Sequence, residues 1–568
     1  MSRTLPNRVL LAAAAVFLAG LAIHGVAGIG HTSAPMQGRL ISDSLAYDHL
    51  ARELAENGAG SAGVFHQAPL FPLLLAEIRR TDSSRGVPPA LFKVQAALTS
   101  LAFALLVLIG YLGFGSLRAG LLAAAVAMFH GPFAYHSLKM LPVSLALATQ
   151  MTALLFLLLA TPQKRNHHRL AAGLIAGLFA GLAALARAEF VLFIVMAAIY
   201  LLMGSRSKRT VAAFLAGAAL LILPATLHNF RQGDTVLIAS SGGENLFIGN
   251  QRGALGGHTP LSSAAPDLFS QRAEAGRIAE AAAGHSLRPS QVSSYWAGRA
   301  WSEITADPSG WLGVLGRKLA WIAEPGDPTD MYCFSLERSL YLPGLYLLFL
   351  PAGFLLAAGG LGVFKSLRSP PALPLVLFIG FHLLVLLLFF VSTRLRIPLY
   401  FGLALFAGYG LHRLALSWNR KGGRIAVCGA MILILGFTVA GLLRDVPSDR
   451  ERVRLAAVLS LEGELDAGLE VLEPALRQEP PSRAVEDQAG WLLQKKRDWS
   501  GAEAHYRRAL AAEPDDPMQV QTRSRLARVL EEQGKIREAA AEHDRAVSSR
   551  FVQPGTRYER EQFRQRIR

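Results

Sequence analysis

Charged side chains are scarce in this sequence. Asp, Glu, Lys and Arg make up 17% of its 568 residues, whereas 52% of the residues are hydrophobic. A soluble protein usually carries about 25% charged residues, so the composition excludes an ordinary soluble enzyme. Cysteine is scarce too. Cys333 and Cys428 are too few for a disulfide framework or a cysteine-based metal site.

Acidic residues are unevenly distributed, and this explains the formal net charge of +16. Residues 1–444 contain 35 basic and 18 acidic side chains, whereas residues 445–568 contain 22 and 23. The basic excess therefore lies among hydrophobic segments, where Lys and Arg orient membrane helices. The charge does not indicate a nucleic-acid partner.

Long hydrophobic runs dominate residues 1–444. Because a helix needs about 20 apolar residues to cross a bilayer, we predict eleven spans, with the third and sixth short. They lie near 9–29, 90–112, 119–134, 138–160, 169–187, 189–203, 210–228, 340–364, 373–392, 398–416 and 425–443. A cleaved signal peptide is the alternative for the first run. The predicted fold is an all-α, polytopic transmembrane bundle.

Loop charges predict the orientation of these spans. Six short segments contain 14 Lys and Arg and no acid, whereas the two long loops, 30–89 and 229–339, contain 6 and 11 acids. Positively charged loops stay in the cytoplasm. We therefore expect a cytoplasmic amino terminus, with both long loops and the carboxyl-terminal tail outside. For a bacterium this means the inner membrane, with the tail in the periplasm.

The tail, residues 445–568, contains an internal repeat. Small or bulky apolar residues recur at a spacing of 34 and then 37 residues, for example Ala475, Ala509 and Ala546. Pro480 and Pro514 follow the first two helical hairpins. A period of 34 resembles tetratricopeptide repeats, which stack helical hairpins. The alternative is an amphipathic helical array without a peptide groove. Both predict a docking or spacing module.

The first long loop begins with an amphipathic pattern. Tyr47, Leu50, Ala51 and Leu54 share one helical face, and Asp48, Arg52 and Glu56 lie on another. Such a helix is expected to lie along the membrane surface. Asp43 stands at its start, where Asp43, Ser42 or Ser44 would cap the helix if no catalytic role applies. Downstream, Pro69 and Pro72 predict a turn before a second helix.

The ordered set of outer segments resembles a known family. The segments are DSLAYDHLARELAENG, HQAPLFP, GLAALARAEFVLF, SGGENLFIGN and STRLRIP. In this order they are similar to the polyprenyl-phosphate-dependent glycosyltransferases of the GT-C superfamily, in particular to bacterial relatives of the protein O-mannosyltransferases and of the lipid A aminoarabinose transferase. The chain departs from that pattern in two places: Ser44 follows Asp43, and Lys139 stands where many relatives have an acid.

The resemblance implies an inverting sugar transfer on the outer face, from a polyprenyl-phosphate donor to a protein, glycan or lipid acceptor. It implies Asp43 as the general base, and arginines as ligands of the phosphate. The candidate substrate-binding residues are Tyr47, His66, Gln67, Arg187, Glu189, Asn245, Asn250, Arg394 and Arg396. No metal or other cofactor is implied. Membrane lipid and a protein bound by the tail are the further expected partners.

Each candidate residue also has a structural interpretation that the sequence leaves open. Arg394 and Arg396 can lie at the lipid boundary, Arg187 can pair with Glu189, and the asparagines can form turns. Lys318, Trp321 and Glu324 recur at helical spacing and indicate an interfacial aromatic anchor. A membrane transporter or flippase for lipid-linked sugars, and a non-catalytic membrane-anchored repeat scaffold, are the alternative functions.

Overall fold

Helices account for the regular secondary structure of the described residues, which contain no β-strand, so the all-α prediction is confirmed for them. The structure is a computed structural model. It describes residues 5–35, 40–41, 43–58, 60–84, 86–160, 166–205, 207–252, 254–258, 268–326, 331–367, 372–420, 423–480, 482–512, 519–549 and 554–567. The predicted capping residue Ser42 and the repeat residue Pro514 lie outside these ranges.

In the described residues, nineteen helices precede the tail. They are α1 Asn7–Ala27, α2 Asp43–Asn57, α3 Leu70–Arg79, α4 Pro89–Phe114, α5 Leu117–Met128, α6 Gly131–Ser137, α7 Val143–Leu159, α8 Asn166–Ala186, α9 Val191–Ser205, α10 Lys208–Arg231, α11 Gly242–Asn250, α12 Leu268–Ala283, α13 Pro289–Ala306, α14 Pro308–Ile322, α15 Phe334–Leu340, α16 Ala352–Ser366, α17 Leu373–Leu388, α18 Thr393–Ser417 and α19 Gly423–Arg444. Within the described residues, six helices are long and apolar enough to cross a membrane: α1, α4, α8, α10, α18 and α19. Shorter apolar helices (α5, α7, α9, α16 and α17) occupy the other five predicted spans.

Three predicted spans are interrupted near a proline. In the predicted span 119–134 one helix ends at Met128, and a separate helix begins at Gly131, directly before Pro132. In the predicted span 340–364 the helix begins only at Ala352, because Pro343 starts a short 3-10 turn and Pro351 precedes the helix. In the predicted span 138–160 the helix begins at Val143, directly after Pro142. These breaks leave irregular backbone at the ends of hydrophobic helices, and the residues around Pro142 form part of the site described below.

The first long loop forms the amphipathic helix α2, followed by α3. Tyr47, Ala51 and Leu54 are buried, as the pattern predicts. Asp48, which the pattern places on the other face, is buried as well: its side chain accepts hydrogen bonds from Arg79 Nε at 2.7 Å and Arg52 Nε at 2.8 Å. Arg79 lies one helix further along the chain, so the spacing within α2 cannot reveal this pair. The pair fixes α2 against α3.

The described residues fall into two compact units. The first comprises Met1–Thr32, Leu40–Asp330 and Arg338–Asp445; the second comprises Ser33–Arg39, Met331–Glu337 and Val446–Arg568. In the second unit, Met331–Glu337 packs beside the first tail helix, where Glu451 accepts hydrogen bonds from Ser335 N at 3.2 Å and Cys333 Sγ at 3.5 Å.

The tail consists of packed helical hairpins. Its helices are α20 Asp449–Glu462, α21 Leu465–Leu476, α22 Arg483–Lys495, α23 Trp499–Ala512, α24 Gln519–Glu532, α25 Ile536–Ser548 and α26 Pro554–Ile567. The repeated residues Ala475, Ala509 and Ala546 are buried. Their small side chains let two helices approach closely. Assignment to the tetratricopeptide family remains a prediction.

Candidate active site

A cavity of about 480 Å³ lies in the first unit and collects side chains from distant parts of the chain. Its lining comes from the start of α2, residues 66–68, the α6–α7 and α8–α9 junctions, α11, α12, the end of α17 and the start of α18. Eight of the ten candidate residues line it: Asp43, Tyr47, His66, Gln67, Arg187, Glu189, Asn245 and Arg394. Asn250 and Arg396 lie elsewhere.

The first polar cluster of the cavity contains two ion pairs. Arg394, in the first turn of α18, binds the Asp43 carboxylate at the start of α2. Arg187 Nε binds Glu189 Oε1 at 2.6 Å within the turn that joins α8 to α9. All four side chains are largely but not fully buried. The cluster therefore holds two cations, each neutralised by a carboxylate, at a place that a ligand can reach.

Tyr47 belongs to the same electrostatic cluster. It lies one turn after Asp43 and packs edge-on against Phe71, with ring centroids 5.2 Å apart. Burial raises the pKa of the Tyr47 hydroxyl above its ordinary value, and the Asp43 carboxylate adds to this effect. Tyr47 therefore stays protonated and can donate a hydrogen bond into the cavity.

A second polar cluster contains His66, Glu244 and Arg272. His66 Nε2 lies 3.6 Å from Glu244 Oε2. Burial raises the pKa of Glu244 to about 7, although the Arg272 guanidinium opposes this effect. Burial, together with Arg272, lowers the pKa of His66 to about 3. Near neutral pH the imidazole is therefore uncharged, and Glu244 exchanges between its two protonation states.

Backbone pairing holds His66 beside Glu244. Ser240 N donates to Phe65 O at 3.0 Å, and Ser241 N donates to His66 O at 3.2 Å. The buried Asn229 side chain accepts from Phe65 N and donates to two carbonyls of the segment that leads into α11. Main-chain hydrogen bonds thus hold the two loop segments together. No sequence motif predicts these bonds.

The glycine-rich segment forms α11 and packs against the end of α17. A Cβ atom on Gly249 would lie 1.7 Å from Phe389 O, so only glycine fits there. Asn250, a candidate ligand, donates to Leu388 O at 2.7 Å and accepts from Lys318 Nζ at 2.9 Å. Lys318 Nζ also donates to Leu387 O at 2.7 Å. Asn250 and Lys318 therefore satisfy carbonyls at the carboxyl end of α17.

The predicted roles of three residues are corrected by these contacts. Asn250 positions the wall of the cavity and does not line it. Lys318 is completely buried, so it is not the interfacial charge that was expected to flank the Trp321 anchor. Arg396 is 1% exposed, stacks over the Tyr400 ring at 4.5 Å and donates to Glu324 O at 3.0 Å, so it stabilises the start of α18. Arg394, two residues earlier, points to the opposite side and reaches the cavity.

An apolar wall completes the cavity. It comes from helix ends and includes Leu141, Val143, Leu192, Val385, Phe389 and Phe390. These residues, together with Glu244, Arg272, Gln271 and His258, escaped the sequence-based prediction. Glu244 could have been proposed as a site residue from the sequence, because it is the one charged residue of the glycine-rich segment SGGENLFIGN. Arg272 gave no signal, since it lies on a helix of mixed charge.

In the described part of the chain, no group of three or more His, Cys, Asp or Glu side chains is arranged to hold a metal ion. The charged groups of the cavity are organised as Arg–carboxylate pairs and a His–Glu pair instead.

Comparison with known proteins gives only distant similarities. No protein-family model matches the chain, and no curated protein matches it. Among solved structures, the oligosaccharyltransferase of Archaeoglobus fulgidus is 15% identical with a TM-score of 0.42, covering 82% of this chain and 57% of that chain. This chain therefore spans less than two thirds of that protein.

ArnT from Cupriavidus metallidurans, solved with undecaprenyl phosphate, is 10% identical with a TM-score of 0.39. The alignment covers 94% of this chain and 74% of that chain. These TM-scores are low, so the functional conclusion rests on the cavity itself.

Proposed function

We propose that this protein is a membrane glycosyltransferase that moves a sugar from a polyprenyl-phosphate donor to an acceptor hydroxyl. The observation that carries the proposal is the composition of the cavity. An apolar wall at the ends of hydrophobic helices faces two arginines, each paired with a carboxylate. An isoprenoid chain suits such a wall, and an anionic phosphate suits such arginines.

Arg394 is the proposed phosphate ligand. Its planar guanidinium can bind phosphate oxygens bidentately and stays charged at a lipid boundary. In this structure the guanidinium is bound by Asp43. A phosphate that takes over part of the Arg394 interaction would also release the Asp43 carboxylate. Donor binding would then prepare the base for the acceptor. Arg187, held by Glu189, lines the same cavity and offers a second guanidinium as a hydrogen-bond donor.

Asp43 is the proposed general base. The acceptor oxygen attacks the anomeric carbon, and a new carbon–oxygen bond forms. The bond between the anomeric carbon and the phosphate oxygen breaks, and its electron pair leaves with the polyprenyl phosphate. Asp43 takes the proton of the acceptor hydroxyl. A single displacement of this kind inverts the anomeric configuration, and it needs one carboxylate rather than the pair used by retaining hydrolases.

The proposed location is the outer face of the bacterial inner membrane, with the tail in the periplasm. The cavity is lined mainly by residues of the two acid-containing loops and of adjoining helix ends. Met331–Glu337, which belongs to the second long loop, lies in the same compact unit as the tail. This supports a tail on the same side of the membrane as that loop, where it can bind a protein partner or present an acceptor.

The experiment is an assay of sugar transfer by the purified full-length protein in lipid bilayers. A panel of undecaprenyl-phosphate sugars is supplied, and release of undecaprenyl phosphate is measured with and without a membrane extract as the acceptor source. We expect release with at least one donor, and at least a hundredfold loss in Asp43→Asn. Glu56→Gln, an exposed change on the same helix, is the matched control. Wild-type protein that neither binds nor turns over any donor would disprove the proposal.

A further inference from the structure

A second, smaller cavity of about 180 Å³ lies on another face of α2. Asp43 and Tyr47, four residues apart, line the main cavity. Ala46, His49, Leu50 and Glu53 lie at the helical spacing of i, i+3, i+4 and i+7 and line the smaller one. Helix α2 therefore lines two cavities, each with a different set of residues.

The two cavities share a wall. His66, Gln67 and Arg272 line both of them. Glu244 lies directly behind this wall, 3.6 Å from His66. A molecule in the smaller cavity would thus touch the same side chains as a molecule in the main cavity. This arrangement places two ligands next to each other, as a transfer reaction requires.

The lining of the smaller cavity differs in chemistry from that of the main one. Five of its side chains carry hydrogen-bonding groups: His49, Glu53, His66, Gln67 and Arg272. They combine carboxylate acceptors with guanidinium and amide donors. The volume is below the roughly 300 Å³ at which pockets for drug-sized ligands begin, so the cavity is sized for one small polar group rather than for a whole isoprenoid chain or an extended peptide. Dense donors and acceptors around a small volume suit the hydroxyl groups of one sugar ring.

We propose that the smaller cavity binds the acceptor, and that the acceptor is a saccharide unit that presents a hydroxyl to the main cavity beside the shared residues His66, Gln67 and Arg272. This rests on the proposed transferase function, since a donor must occupy the main cavity. The inference excludes an unmodified protein side chain or a plain lipid alcohol as the acceptor.

The test measures binding directly, so it does not depend on turnover. Methyl glycosides of mannose, glucose and galactose are titrated into the full-length protein in lipid nanodiscs, and binding is followed by saturation-transfer NMR. Affinity for undecaprenyl phosphate is measured in parallel. Ala46→Leu fills the smaller cavity, and Ala55→Leu, on the same helix but outside both cavities, is the matched control. Glu53→Gln keeps the shape of the cavity and removes a charged acceptor.

We expect at least one methyl glycoside to bind, with affinity lowered about tenfold in Ala46→Leu and about fivefold in Glu53→Gln, equivalent to about 1.4 and 1 kcal/mol. Ala55→Leu should bind as wild type does, and all variants should keep their affinity for undecaprenyl phosphate. Butyl glycosides distinguish the source of the saccharide: equal affinity indicates a free or polymeric glycan, and tighter binding indicates a glycan carried on a lipid.

Two results would overturn the inference: no glycoside binds at tens of millimolar concentration, or glycosides bind equally well to Ala46→Leu, Glu53→Gln and wild type. Failure of the transferase proposal looks different. In that case undecaprenyl phosphate does not bind to the wild type, whether or not a glycoside does.

Discussion

Replacing Asp43 with Asn should tighten the binding of undecaprenyl phosphate while it abolishes transfer. Asp43 and Arg394 are 17% and 15% exposed and bind each other. A phosphate on Arg394 would lie within about 8 Å of the Asp43 carboxylate, where two unit charges at an effective dielectric constant of about 20 repel by about 2 kcal/mol. After a discount for solvent and salt, about 1 kcal/mol remains, or about fivefold in affinity.

Arg394→Ala should have the opposite effect. It removes charge-assisted hydrogen bonds that typically contribute about 1.5–3 kcal/mol each, so affinity should fall by about ten- to a hundredfold. The assay is a titration of undecaprenyl phosphate into nanodisc-embedded protein at two salt concentrations. The increase in Asp43→Asn should shrink at high salt, because screening weakens the repulsion that the substitution removes.

The matched control is Asp48→Asn, the same change five residues further along α2. Asp48 pairs with Arg79, whose side chain is 1% exposed, and the phosphate cannot reach it. This variant should be less stable than wild type, but its folded fraction should bind undecaprenyl phosphate with the wild-type affinity. If Asp43→Asn binds undecaprenyl phosphate no more tightly than wild type, or if Arg394→Ala binds equally well, Arg394 is not shared between the carboxylate and a phosphate.

Three further predictions concern the second cluster and the cavity wall. Glu244 has a raised pKa of about 7, so its contribution to stability is present below about pH 4 and is lost as the pH rises to about 7. Glu244→Gln should therefore unfold at a higher temperature than wild type at pH 8 but not at pH 4, with a difference of at most about 3 kcal/mol in the free energy of unfolding, and the exposed change Glu56→Gln serves as control. Gly249→Ala should destabilise the protein by about 1–3 kcal/mol, because its Cβ meets Phe389 O, whereas Gly276→Ala, with open space around it, should not; equal thermal unfolding of the two variants would contradict this. Lys318→Met leaves Leu387 O without its donor and should cost about 1–3 kcal/mol. Lys318→Met should also weaken the binding of undecaprenyl phosphate, because Phe389 and Phe390 of the cavity wall directly follow the carbonyls that Lys318 holds. An unchanged affinity would show that Lys318 does not position this part of the wall.

Composition and periodicity were sufficient for the helical architecture. Hydrophobic length depends on local sequence alone, so all eleven apolar segments could be located. The errors lie where the helix is broken, near Pro142, Pro343 and Pro351 and between Met128 and Gly131. The face of α2 that carries Tyr47 was also predictable, because side chains four residues apart project on the same side of a helix. The burial of Asp48 was not predictable, since its partner Arg79 lies in another helix.

The candidate site was only partly predictable from the sequence. The sequence pattern, through its resemblance to a family, indicated eight side chains that line one cavity, but it could not separate Arg394 from Arg396 or Asn245 from Asn250. Only the tertiary structure decided these cases, because each depends on which neighbour lies opposite: Arg394 faces Asp43, Arg396 faces Tyr400 and Asn250 faces Lys318. The Glu244–His66 pair and the second cavity likewise arise where segments far apart in the chain meet. A local pattern determines which way a side chain leaves its helix, whereas its partner and its burial depend on long-range packing.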